Sequence, residues 1–299
     1  MARHEYLALA IVATVVAPPS RAAPAADEPA LPVAAAPTVR VDPDRLRPGD
    51  ALLVTVQGSP SPPSAAVAGR ELRFFPVAGG YQALAALPVE LEPGTLTVEV
   101  SLAGSSAPLR AQAEVVEPRF PESRLKVAPR YLNPSPAQKR RMELDQAAFN
   151  AAYEQPFGPP LFEEPFSRPR DSEVTAAFGE RRLFNGKKQS QHFGTDFAGE
   201  VGAPVAAAND GLVVLARDCY ASGNTVVVSH GAGLFTVYFH LSRFDAHAGD
   251  RVRRGQLLGR VGRTGRVTGP HLHFGTKVGG LYVDPESVYR LRFSARGSP

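Results

Sequence analysis

Two short segments of this 299-residue chain carry groups that could hold a metal ion: His192-Phe193-Gly194-Thr195-Asp196 and Gly269-Pro270-His271-Leu272-His273. Between them they hold three of the seven histidines and a carboxylate. Imidazole nitrogens and a carboxylate oxygen are zinc ligands, and a zinc site that does chemistry uses three of them, at about 2.0–2.2 Å, and leaves a fourth position to water. Four candidates are one too many, and the spacing does not say which histidine of the pair stays off the metal. Two neutral imidazoles and one carboxylate leave residual positive charge on the ion, enough to bring the pKa of such a water to roughly 7. The remaining histidine would then stand beside that water, where a base is needed.

The spacing names the elements that must present these groups. Residues two apart share a face of a strand and not of a helix, so His271 and His273 require a strand, with Leu272 and Phe274 turned to a core. In an extended segment His192 and Asp196 also share a face, Gly194 leaves room between them, and Phe193, Thr195 and Phe197 point the other way. A third strand, Phe235 to His240, alternates so that Phe235, Val237 and Phe239 form an apolar face. Thr236, Tyr238 and His240 form a polar one. If the polar face meets the metal, His240 can stabilise a developing oxyanion or position water.

Together these segments resemble the lysostaphin-type (LytM-like) zinc peptidoglycan endopeptidases. The resemblance rests on Asn185 to Asp196, on Tyr238-Phe239-His240-Leu241, and on Gly255-Gln256 through Gly265 into Thr268-Gly269-Pro270-His271-Leu272-His273-Phe274. It covers roughly residues 172–290, and three ordered motifs are specific where a lone H-x-H is weak. It implies that one zinc ion is held by His192, Asp196 and His273, that His240 and His271 are the catalytic histidines, and that the substrate is the peptide cross-links of peptidoglycan. The five positions match the family pattern. Some relatives have lost ligands and act only as regulators of other cell-wall enzymes, so the competing expectation is a catalytically silent regulator of a peptidoglycan amidase. A zinc hydrolase of another amide is a third.

Other residues carry less. Asn185 and Tyr238 lie near the expected site, as substrate contacts or as packing. His230 reads as structural at the end of a strand, His247 as a loop residue and His4 as part of the leader. Cys219 is the only cysteine, so no internal disulfide forms, and with no base partner nearby it reads as a small buried residue. The net charge of +4 is modest. Six arginines between Arg251 and Arg266 read as a solvated surface or as attraction to an anionic envelope. No nucleic-acid motif is present, and nucleic acid is not an expected partner; envelope components are.

The N-terminus reads as a signal peptide over residues 1–25: Arg3 and His4, the apolar run Leu7 to Ala17, then small residues and prolines. That run is about half of the roughly 20 residues a membrane span needs. The expectation is export to the periplasm or beyond. A flexible Ala/Pro segment, residues 26–37, leads to an Ig-like β-sandwich over residues 38–118, where runs such as Leu52 to Val56, Leu72 to Val77, Thr95 to Leu102 and Ala111 to Val116 alternate between turns. Residues 119–170 form a linker with a helix over 136–155, opened by the Ser135-Pro136-Gln138 capping box, with Met142, Phe149, Ala152 and Tyr153 on one stripe. Residues 171–290 are expected to form the zinc endopeptidase domain, an antiparallel sheet or barrel-sandwich, and residues 291–299 a tail. The fold class is mainly β, and 43% hydrophobic content suffices for two ordinary cores.

Overall fold

The computed structural model describes residues 36–125, 134–186 and 188–295. The expected signal peptide and most of the flexible segment lie outside these residues. Strands dominate, in line with the mainly β expectation.

The first strands form two sheets. One has the order β1 (Thr38–Asp42), β3 (Ala51–Gln57), β7 (Gly80–Ala86) and β6 (Phe74–Val77). The other has the order β2 (Arg45–Leu46), β9 (Leu109–Val115), β8 (Gly94–Ser101), β4 (Ser64–Val67) and β5 (Arg70–Glu71). Leu52, Val54, Val56, Ala85, Val98, Val100, Ala113 and Val115 fill the space between them. Strand β8 alternates, burying Val98 and Val100 while Glu99 faces solvent. Strand β3 does not alternate: Ala51 to Val56 are all buried. Its other face, with Ala51 and Leu53, joins the core that contains Phe197, Tyr238 and Phe274. A strand covered on both sides reads as a continuous apolar run, which is what Ala-Leu-Leu-Val-Thr-Val is.

The C-terminal part is built on an eight-stranded sheet whose main path is β11 (Val174–Ala176), β14 (Thr195–Ala198), β22 (His271–Val278), β18 (Leu234–Leu241), β17 (Gly223–Ser229), β16 (Gly211–Cys219) and β20 (Arg251–Val252). The eighth strand, β23 (Leu281–Val283), pairs with β22 and leads into helix α2 (Pro285–Arg290). A small sheet of β15 (Pro204–Ala206), β21 (Leu257–Arg260) and β19 (Arg243–Phe244) lies beside it. Another joins β10 (Glu122–Leu125), β12 (Arg181–Phe184) and β13 (Lys188–Gln191). The central strands β17 and β18 are buried along most of their length, as their Val- and Phe-rich sequences require.

Helix α1 (Pro136–Tyr153) starts at the expected capping box: the Ser135 hydroxyl accepts the Gln138 N–H and the Gln138 side chain accepts the Ser135 N–H. Its inward stripe differs from the expected one. Met142 is 37% exposed, and the buried group one turn away is Asp145. The Asp145 carboxylate accepts from Arg217 Nε at 3.1 Å and from the Tyr220 N–H at 2.7 Å. Phe149 and Tyr153 then lay their rings against Phe239 and Phe235 of β18. The proline-rich stretch after α1 is woven into the core, where Phe162 and Phe166 are buried and Leu161 N–H bonds to the His230 carbonyl. Among the described residues no helix is long and apolar enough to cross a membrane.

Candidate metal centre

Sheet register brings the separated motifs together. Asp196 of β14 is paired directly with His273 of β22, and His273 is paired with Phe239 of β18. Leu272 and Phe274, the neighbours of His273, are fully buried on the opposite face, so the apolar positions of β22 fix which way its histidines point.

His192 arrives differently from the sequence reading. It follows β13, and the chain bends at Gly194 before β14 begins, so His192 and Asp196 do not share one unbroken strand. Phe193 is 39% exposed and does not join the core with Thr195 and Phe197. The Glu180 carbonyl accepts the His192 N–H at 2.9 Å, and the His192 carbonyl accepts the Gly179 N–H at 2.8 Å. Gly194 is required at the bend: a Cβ there would lie 2.5 Å from Cε1 and 2.6 Å from Nε2 of His273.

Three ligand atoms converge. His192 Nε2, Asp196 Oδ1 and His273 Nδ1 stand 2.9 Å from one another on every side of a triangle. The Ala177 carbonyl, 3.0 Å from His192 Nδ1, can only accept, so that nitrogen carries the proton and Nε2 offers a lone pair. Burial would raise the Asp196 pKa, but the two imidazoles against it, His192 and His273, hold it far below the usual carboxylate range, so it is an anion. Lone pairs aimed at one point from so short a distance call for a cation between them. An ion at about 2.1 Å from each atom fits such a triangle, and the carbonyl that fixes the His192 tautomer is a usual accompaniment of a metal-bound imidazole.

His240 and His271 border the triangle. Their rings are 4.9 Å apart, His240 is 6.2 Å from the His273 ring, and His271 Nε2 is 3.8 Å from Asp196 Oδ1. His240 Nδ1 donates to the Thr264 carbonyl at 2.9 Å and His271 Nδ1 to the Gly269 carbonyl at 3.0 Å, which leaves both Nε2 atoms as acceptors. Burial, helped by nearby His273 and His271, pushes the His240 pKa down to about 3, so its ring is neutral near pH 7. Burial lowers that of His273 as well.

The face assigned to β18 from its sequence is inverted. Thr236 and Tyr238 are fully buried, with the Tyr238 hydroxyl accepting the Ala208 N–H at 2.9 Å and 3.0 Å from the Thr236 hydroxyl. Tyr238 therefore cannot touch a substrate. Phe239 is the residue on the metal side, stacked 5.0 Å from the His273 ring. His240 should follow Tyr238 into the core. It escapes because the pairing of β18 with β17 shifts between Asn224 and Val226, a bulge, and because His240 itself takes a left-handed backbone with φ of 63°. Asn185 does not join the cluster: it is exposed in the turn of the β12–β13 hairpin, and four residues of strand, roughly 13 Å, already separate Lys188 from His192. His230 is buried and bonded to Asp210 O and Thr236, and Cys219 is a buried free thiol.

Arg182 and Glu180 went unnoticed in the sequence. Arg182 Nη2 donates to Asp196 Oδ2 at 2.9 Å and Arg182 Nε to Glu180 Oε2 at 2.7 Å. An arginine in a strand carries no signal of this kind until the fold shows its neighbour.

Residues 190–285 match the family model described as Peptidase family M23. Peptidoglycan DD-endopeptidase ShyA of Vibrio cholerae is 45% identical over 112 residues, which are 37% of this chain and 26% of that protein. DD-carboxypeptidase/endopeptidase Mpg of Neisseria meningitidis is 43% identical over 97 residues, 32% of this chain and 22% of that protein. The chain thus spans about a quarter of the length of these curated relatives. A crystal structure from Pseudomonas aeruginosa assigned to peptidase M23 covers 82% of this chain and 95% of its own, with a TM-score of 0.62 and 29% identity. The match includes every residue of the His/Asp triangle, and over residues 190–285 the chain is similar to peptidase family M23.

Proposed function

We propose that the chain is an exported zinc endopeptidase, periplasmic or secreted, that hydrolyses peptide cross-links of bacterial peptidoglycan. The observation that carries this reading is the triangle of His192 Nε2, Asp196 Oδ1 and His273 Nδ1, with two further histidine acceptors at its border. The name of ShyA, a peptidoglycan DD-endopeptidase, supplies the substrate class. Among the described residues this triangle is the one group of three or more such side chains close enough to share an ion.

His192, Asp196 and His273 would hold the zinc. When bound, the ion supplies Lewis acidity, which makes water acidic near neutral pH and polarises a peptide carbonyl. His271, the more open of the two bordering histidines and 3.8 Å from the Asp196 anion, takes the proton of the attacking water. The Gly269 carbonyl holds the ring for that task, and the resulting imidazolium returns the proton to the leaving amine. His240, buried and neutral, orients the water by accepting a hydrogen bond at Nε2. Phe239 packs flat on His273 and keeps that ligand from turning. Asn185, exposed on its hairpin, would be a contact for a peptide farther along.

The alternative of a catalytically silent regulator is disfavoured by the intact ligand set. Purified protein is expected to release peptide fragments from cross-linked sacculi, to stop when zinc is chelated and to resume when zinc is returned. His271→Ala should bind zinc and lower the rate by about 10²-fold or more. Zinc binding without any cleavage by the parent would favour the regulator.

A further inference from the structure

We infer that Arg182 is a positioning residue of the metal centre, acting through Asp196; this rests on the zinc reading above. A carboxylate that gives one oxygen to an ion remains free to rotate unless its second oxygen is held. Asp196 Oδ1 faces His192 and His273, and Oδ2 is the oxygen that receives Arg182 Nη2 at 2.9 Å. The guanidinium is held in turn by Glu180 Oε2, 2.7 Å from Nε.

Two features make this more than a surface ion pair. The side chains are shielded, with 20% of Arg182, 15% of Glu180 and 10% of Asp196 exposed. The same segment also grips the next ligand: the Glu180 carbonyl accepts the His192 N–H, and the Gly179 N–H donates to the His192 carbonyl. Residues 179–182 thus fix the backbone of His192 and the side-chain rotation of Asp196 together. Only the planar fork of arginine serves both carboxylates from one rigid group; a lysine ammonium has the charge without the fork. Arg182 touches none of the proposed reacting atoms, and its effect passes through a ligand, as outer partners of metal sites act.

The test measures zinc affinity of the full chain by competition with a chelator, with melting temperatures taken in zinc and in excess chelator. Arg182→Met is expected to raise the zinc dissociation constant about 10–100-fold. Arg182→Lys should fall between parent and Arg182→Met, and Glu180→Gln should weaken binding less than Arg182→Met does. The rise in melting temperature on adding zinc should shrink in the same order, while the chelated proteins melt within a few degrees of the parent. Parent affinity in Arg182→Met overturns the inference. So does weaker binding matched by an equal loss of stability without zinc, which would make Arg182 a support of the hairpin alone. Asp196→Ala in the same titration tests the underlying reading: parent affinity there removes the metal centre, whereas lost affinity there beside parent affinity in Arg182→Met removes only the role of Arg182.

Discussion

At position 194 a single methyl group decides whether the triangle can form. The Cβ of an alanine would meet the His273 ring at 2.5 Å and the Phe274 carbonyl at 2.7 Å, and that carbonyl belongs to a central strand that cannot yield. The ring would have to turn away from Asp196. Gly194→Ala is therefore expected to cost about 1–3 kcal/mol of stability and to weaken zinc binding by about tenfold or more, read by chelator competition. Unchanged affinity would show that the ring has another place to go. His240 illustrates the same point from the other side: alternation assigns it to the face of Tyr238, and a bulge with one left-handed residue reverses that assignment. Strand periodicity finds side-chain faces only where the ladder is regular.

At the scale of elements, α1 is attached to the metal sheet by a few contacts. It buries only Asp145 and Ala152, and its Phe149 ring touches Phe239, which in turn stacks on His273. An 18-residue helix with so little apolar burial depends on what it docks against. Asp145 anchors it through Arg217 and the Tyr220 N–H. Asp145→Asn is expected to weaken docking by about 2 kcal/mol, less than for a fully buried pair because Arg217 is partly open to solvent. Faster tryptic cleavage at Lys139 to Arg141 and faster amide exchange over residues 136–153 would show it. Parent-like rates would place the anchor elsewhere. The polar anchor explains why a stripe drawn through apolar residues misplaced Met142.

At the scale of the whole molecule, the sheet of β1, β3, β7 and β6 shares a core with the C-terminal eight-stranded sheet, and polar contacts join the two at α2. The Ser287 hydroxyl accepts the Ala51 N–H at 2.9 Å, and the Gly49 carbonyl accepts the Asp284 N–H at 2.8 Å. Asp284 caps α2 by accepting the Glu286 N–H at 3.0 Å. Burial, with added repulsion from Asp50 and Glu286, pushes its pKa up to about 6 from an ordinary 3.8. The folded protein thus holds this proton more tightly than the unfolded chain. The stability it contributes is full below about pH 3.8 and is lost as pH rises through about 6, a span of about 3 kcal/mol. Asn at 284 keeps the cap without the charge. Asp284→Asn should be more stable than its parent in urea at pH 8 and equal to it near pH 4. A difference that does not change with pH would remove Asp284 from the pH dependence.

The sequence by itself determined the chemistry of the ligand set and the strands that carry most of it. His271-Leu272-His273 can present two imidazoles together only from a strand, and the apolar residues beside them say which face is turned inward. The capping box likewise fixed the start of α1, because its hydrogen bonds are local. The tertiary structure alone decided the rest: that Asp196 lies opposite His273, that β3 is covered on both sides, that Tyr238 is buried while Phe239 faces the metal, and that Arg182 reaches Asp196. The physical reason is that periodicity records each residue's relation to its own backbone, while cross-strand register, a bulge and an ion pair between strands depend on partners brought close only by folding.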